Sequence, residues 1–230
     1  GLVFTPVFYV IASWAADTCR RFGLTFYDHL WRVLALLLAG VGPVFVLTVG
    51  YQPASAASPG RVRFRAATAL SPADYDRYLL ASDLVVTDNA MSASLGRAVM
   101  GRVPAVALRS SVGIGPGGSI EAPFEPGPAM REIIESIESA RPGSIFPFAV
   151  YPVGWIEETL ALYQGNPFSE GFVPVEVFDG GGTPELMRLL CRDGGARRSL
   201  IERQAAYASE VARLPPPAEA VWAVVKSKSR

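Results

Sequence analysis

Residues 84–108 read LVVTDNAMSASLGRAVMGRVPAVAL, and their reading decides the fold. Leu84 to Thr87 is a short apolar run that suits a buried strand. Asp88 to Ser94 is a turn of small and polar residues. Leu95 to Met100 suits a helix, and Gly101 is placed to end it at C′. Pro104 to Leu108 then reads as the next strand. Strand, crossover helix and strand is the parallel βαβ unit. Its first strand delivers Asp88 and Asn89 to the carboxyl edge of the sheet, where open α/β folds bind ligands. Hydroxyls at Ser92 and Ser94, together with the free amides of a helix start, are suitable donors for phosphate oxygens. Ser92 also has the simpler use of capping the helix.

Outward from that unit, strands and helices keep alternating. Tyr27 to Ala39 suits a buried helix and Val44 to Val49 a core strand. Arg61 to Ala66 alternates Arg with Val62, Phe64 and Ala66, as a strand with one wet face does. Ser71, Pro72 and Asp74 predict an N-cap, an N1 proline and a capping box, with Leu70 and Tyr75 as the staple of a helix running to about Ala81. Residues 109–128 are rich in Gly and Pro and read as a long flexible loop. Met130, Ile133, Ile134 and Ile137 then mark one helix face.

Further on, Ile145 to Tyr151 reads as a strand weakened by Pro147, and Trp155 to Tyr163 as a helix. Val173 to Phe178 reads as a strand, followed by a helix capped by Thr183. Arg197 to Leu214 reads as a long helix with Leu200, Ile201, Ala205, Ala208 and Val211 turned inward. A last helix would carry Val221, Trp222 and Val225. The fold class is α/β: a Rossmann-like, mainly parallel sheet with helices on both faces.

Composition narrows function by exclusion. The chain has 230 residues, half of them apolar, which is too much apolar surface for a disordered chain. Arg and Lys number 21 and so do Asp and Glu, so no positive surplus favours nucleic acid. Both lysines, Lys226 and Lys228, lie in the tail. Two cysteines, Cys19 and Cys191, and a single histidine, His29, cannot make a four-ligand Cys/His zinc site. Cysteine usage fits a reducing compartment, and the cytoplasm is the expected location. Residues 33–60 carry no charge, but Gly40, Gly42 and Pro43 interrupt the run, which favours helix, turn and buried strand over a membrane span. The apolar opening lacks the basic start of a signal peptide, and a first residue of Gly reads as a cut or processed chain.

Other motifs have plainer readings beside the chemical ones. Gly113, Gly115 and Gly118 spell G-x-G-x-x-G, yet the residues after them, SIEAPFEP, cannot start a helix promptly, so a dinucleotide loop is disfavoured. Asp74 and Asp76 imitate a metal-holding D-x-D pair but sit in the first turn of a capped helix, where they complement its dipole. His29 lies among Leu and Trp and suits a structural residue better than a general base. Arg197 and Arg198 read as a solvated face.

The order of these features resembles the C-terminal, donor-binding half of GT-B glycosyltransferases, particularly those that decorate bacterial natural products. The matching features are the strand Val44 to Gly50, the strand with Val62 and Phe64, the stretch Leu70 to Tyr75 with Leu79 to Leu84, the 84–104 unit, and Arg203 to Tyr207 with Val211 and Leu214. The resemblance implies one half of a GT-B fold, with residues 1–43 a linker or returning segment, 44–214 the donor-binding domain and 215–230 a terminal helix and tail. It implies a nucleotide sugar as donor, a small-molecule acceptor, no metal and no cofactor beyond the substrate. The catalytic base would lie in an N-terminal half of the same enzyme, and this chain alone would be nearly inactive. By match, Asp88, Asn89, Ser92 and Ser94 would hold the diphosphate, Gly50 and Tyr51 would lie close to the donor, and Arg109, Ser110 and Ser111 would face the sugar.

The chain departs from the family where a Gly-rich turn is usual. Asp88 would repel a diphosphate unless it points away or meets a hydroxyl or a base. The Asp/Glu-Gln pair that often holds the sugar hydroxyls is not evident. Two alternatives stand beside this reading: a sugar-nucleotide 2-epimerase-like enzyme of the same fold, and a non-catalytic scaffold that binds a partner protein.

Overall fold

The computed structural model describes residues 3–10, 26–50, 61–89, 91–147, 165–192, 194–216 and 218–219. The expectations for Cys19, Tyr51, residues 155–163 and the Val221 helix, and most of the 145–151 strand, lie outside them.

Among the described residues six parallel strands form the main sheet: β1 (Thr5–Val10), β2 (Val44–Val49), β3 (Val62–Ala67), β4 (Leu84–Thr87), β5 (Ala105–Arg109) and β8 (Val173–Glu176). Their order across the sheet is β3-β2-β1-β4-β5-β8. The inner strands β2, β4 and β5 are buried at consecutive positions because both faces are covered, while the edge strand β3 exposes Arg63 and Arg65. On one face Leu84, Val86, Val106 and Leu108 pack against α1 (Phe26–Leu38), α4 (Pro128–Ala140) and α5 (Gly182–Cys191). On the other, Phe8, Val85, Ala105 and Ala107 pack against α2 (Pro72–Leu80) and α3 (Ala93–Met100). The helix α6 (Gly195–Val211) touches α3 and α5. The α/β, Rossmann-like arrangement expected from the sequence is therefore the one observed.

The first segment is not a linker. β1 pairs with β2 from Thr5↔Val44 to Val10↔Val49 and with β4 from Val7↔Leu84 to Val10↔Thr87. It is a central strand, and the sheet domain begins before Val44. The charge-free run divides as its glycines suggest. α1 ends in a 3-10 turn over Ala39–Val41, Gly42 takes φ 115, and β2 follows. Only glycine adopts that angle without strain. No helix among the described residues is long and apolar enough to cross a membrane.

Residues 109–128 are more ordered than their composition suggests. β6 (Gly113–Ile114) and β7 (Ile120–Glu121) pair antiparallel around a 3-10 turn over Pro116–Gly118. The G-x-G-x-x-G spacing serves this hairpin. Gly117 and Gly118 sit at φ 75 and 82 in its turn, and the Gly115 amide donates to Ser119 O at 2.8 Å. No helix follows until Pro128.

Candidate functional site

The strand order reverses between β1 and β4. The chain runs from β1 outward to β3, then returns to the other side of β1 and continues outward. Open α/β sheets bind ligands at the carboxyl ends of the two strands that flank such a reversal. Here those ends are Val10 and Thr87, and Asp88 is the next residue. The 84–94 segment is therefore placed where a ligand site is expected, for a reason that only the full strand order supplies.

Strand pleat assigns the polar residues of this edge to opposite faces. Asp88 follows Leu84 and Val86 onto the α1 face. There it is 7% exposed and accepts a hydrogen bond from the hydroxyl of Tyr27, in the first turn of α1. Arg109 ends β5 and shares the pleat side of Ala105 and Ala107, the α3 face. The β4–β5 register, carried two residues past Thr87↔Ala107, sets Asn89 abreast of Arg109. The acid thus turns to one side of the sheet and the basic group to the other.

On the α3 face, Ser92 caps the helix. Its Oγ accepts from the Leu95 amide at 3.1 Å, the structural use the sequence allowed. Asn89 shapes the turn: its Oδ1 accepts from the Met91 amide at 2.8 Å, and its own amide donates to Thr87 Oγ1 at 3.2 Å. Ser94 is buried, and its hydroxyl is hydrogen-bonded to that of Tyr75 on α2. Burial raises the Tyr75 pKa above its ordinary value, with smaller lowering effects from Ser94 and Arg97. Ser94 is therefore a link between helices and not a free phosphate donor.

At the ends of β5 and β8 a second cluster forms around Glu176, a residue the sequence reading missed. Its carboxylate accepts from the Ser111 amide at 2.8 Å and the Ser111 hydroxyl at 2.7 Å. Arg109 Nε lies 2.8 Å from the same carboxylate. Ser110 is buried, and its Oγ accepts from the Val112 amide at 3.1 Å. Ser110 and Ser111 thus hold the loop together. Gly50 also lies at the carboxyl edge, at φ 82, with its amide bonded to Ala67 O at 3.1 Å.

The remaining candidates have structural duties. Asp74 accepts from the Ser71 hydroxyl at 2.8 Å and pairs with Arg77 at 3.0 Å. Asp76 pairs with Arg97 at 2.6 Å and so ties α2 to α3. His29 is half-buried with its Nδ1 3.4 Å from an Arg32 Nη. Burial first, and the Arg32 charge second, push its pKa below the ordinary histidine value, against a weaker pull from Asp28. A cation as neighbour does not suit a general base that must be oriented by a carboxylate. Arg197 donates to the backbone oxygens of Asp83 and Leu190 at 2.8 and 2.9 Å, so it is a bridge and not a solvated face. Burial pushes the Cys191 thiol up to about 12, which removes it as a nucleophile. Among the described residues no group of three or more His, Cys, Asp or Glu could hold a metal ion.

A separate groove of about 450 Å³ lies between α1 and α4, lined by Trp31, Leu36, Ala39, Val62 and Ile133. Ala39 and Val62 place it toward the amino ends of the strands, away from Asp88.

No curated protein matches the chain. A family model matches residues 4–229 of the 230, so the protein belongs to DUF6365, a family of unknown function.

Proposed function

We propose that this chain is the nucleotide-sugar-binding half of a metal-independent glycosyltransferase of the GT-B type. The whole enzyme, with an N-terminal half carrying the acceptor site and the base, transfers a sugar to a small-molecule natural product in the cytoplasm. The observation that carries this reading is the strand order, which sets the β4 turn at the reversal point of a parallel sheet. The Asp88 carboxylate is turned away from such a ligand: it meets the Tyr27 hydroxyl on the α1 face, while Asn89, Arg109 and the α3 start lie on the other. A leaving diphosphate on the α3 side would be stabilised by fixed donors without a metal.

Isothermal titration of the chain with UDP-, dTDP- and GDP-sugars tests this. Binding of one of them in the micromolar to low millimolar range is expected. No heat from any of the three at millimolar concentration counts against it.

A second reading, a non-catalytic scaffold, is favoured by one observation. The hydroxyls of Ser94 and Ser111 are both committed to partners inside the fold. Such a chain would bind no nucleotide sugar, so the same titration separates the two.

A further inference from the structure

The geometry points to Arg109 as the residue that grips the anionic group of the ligand, with Glu176 as the residue that aims it. This rests on the sugar-nucleotide reading and narrows it. Arg109 contacts the diphosphate, not the sugar that the family resemblance gave it.

Three observations support the assignment. First, the guanidinium is paired with one carboxylate. Nε lies 2.8 Å from Glu176 Oε1, and among the described residues the guanidinium donates no hydrogen bond. Its Nη donors form a planar fork, which matches the paired oxygens of a phosphate. The Arg109 side chain is 48% exposed, so that fork is open to a ligand. Secondly, Glu176 is itself locked. Its side chain is 12% exposed and accepts two bonds from Ser111, and its backbone oxygen accepts from Thr183 Oγ1 at 2.8 Å. Thr183 lies in the first turn of α5, where the amides of Gly181, Gly182 and Thr183 donate to Asp179 at 2.9 to 3.1 Å. The aim of Arg109 is thereby set by two strands and a helix. Thirdly, other donors on this side are used. Ser94 is tied to Tyr75, the Ser111 hydroxyl donates to Glu176, and Arg97 is paired with Asp76.

Glu176 has two opposed influences, and they give the test its power. Its charge offsets that of Arg109 and weakens anion binding. Its position orients the fork and strengthens it. If charge alone mattered, Glu176→Gln would bind anions more tightly. If positioning dominates, the same variant binds them more weakly.

The experiment is calorimetric titration of the chain, at low and at moderate salt, with inorganic pyrophosphate and separately with UDP-, dTDP- and GDP-sugars. Variants are Arg109→Gln, Arg109→Lys and Glu176→Gln, each checked for an unchanged thermal midpoint. Arg109→Gln should weaken pyrophosphate binding at least about tenfold, as loss of a charge-assisted pair implies. Arg109→Lys should recover part of it, and Glu176→Gln should also weaken it. Unchanged binding in Arg109→Gln overturns the anion contact and leaves the sugar-nucleotide reading intact. Tighter binding in Glu176→Gln overturns the positioning role. Arg109-dependent pyrophosphate binding with no nucleotide sugar bound overturns the reading and keeps the contact. Binding of neither probe overturns both.

Discussion

The two faces of the sheet meet the carboxyl edge in different ways. On the α1 face the edge is closed: Asp88 is buried and bonded to Tyr27, above a continuous core of Leu30, Leu34, Leu37, Ile134 and Ile137. On the α3 face the edge is more open among the described residues: Arg109 is half exposed, and the turn before α3 is held by Ser92 and Asn89. Consecutive residues of a strand point to opposite sides, so an acid and a base on adjacent strands are kept apart by the pleat alone. One face can then be spent on stability while the other is left for a ligand.

That contrast can be broken from the closed side first. Leu34→Ala removes a side chain that is 1% exposed on α1 and should lower stability by about 2–5 kcal/mol in urea unfolding. A loss under about 1 kcal/mol would mean the α1 face is not the rigid one. Tyr27→Phe takes the hydroxyl from a buried carboxylate and should cost about 1–3 kcal/mol, while pyrophosphate affinity on the opposite face stays put. A large affinity change there would show the faces are coupled. On the open side, Ser92→Ala removes the α3 cap and should cost about 1 kcal/mol. The smallest effect is expected from Asp76→Asn, which breaks an exposed pair with Arg97 and should cost under about 1 kcal/mol. If Asp76→Asn proved costlier than Ser92→Ala, the α2–α3 tie would be the stronger constraint.

Local features were legible in the sequence because their causes are local. The Ser71 cap, the Met130 to Ile137 face and the Gly42 turn each depend on residues a few positions apart. The sequence places residues 1–43 in a linker or returning segment because the partners of β1 come from elsewhere, at Val44–Val49 and Leu84–Thr87. The same holds for the site. Tyr27 lies 61 residues from Asp88, and Glu176 lies 65 from Ser111, so no spacing announces either pair. A weak signal did exist for Glu176, since it closes a strand that was recognised.

Three local assignments were changed by contacts. Gly101 stands at the C-cap in ordinary helical geometry, and the residue at φ 57 is Arg102. A Cβ on Gly101 would lie 2.3 Å from Leu80 Cδ2, the end of an exposed side chain that would have to turn aside. Asp179, not Thr183, caps α5, and the Thr183 hydroxyl bonds to Glu176 O instead. On α6 the buried residues are Leu200 and Gln204, whose Nε2 donates to Val103 O at 2.9 Å and Gly171 O at 2.8 Å. Ile201, Ala205, Ala208 and Val211 are only partly buried.

The central claim, that the open side of the carboxyl edge at the β1/β4 reversal holds a nucleotide sugar, is tested most directly by amide chemical-shift mapping. The ¹⁵N-labelled chain is titrated with UDP-, dTDP- and GDP-sugars. The account predicts saturable shifts confined to residues 88–95 and 109–112, with little change along α1. Absence of shifts at millimolar ligand, or shifts that cluster instead around Trp31 and Ile133 in the α1–α4 groove, would contradict it.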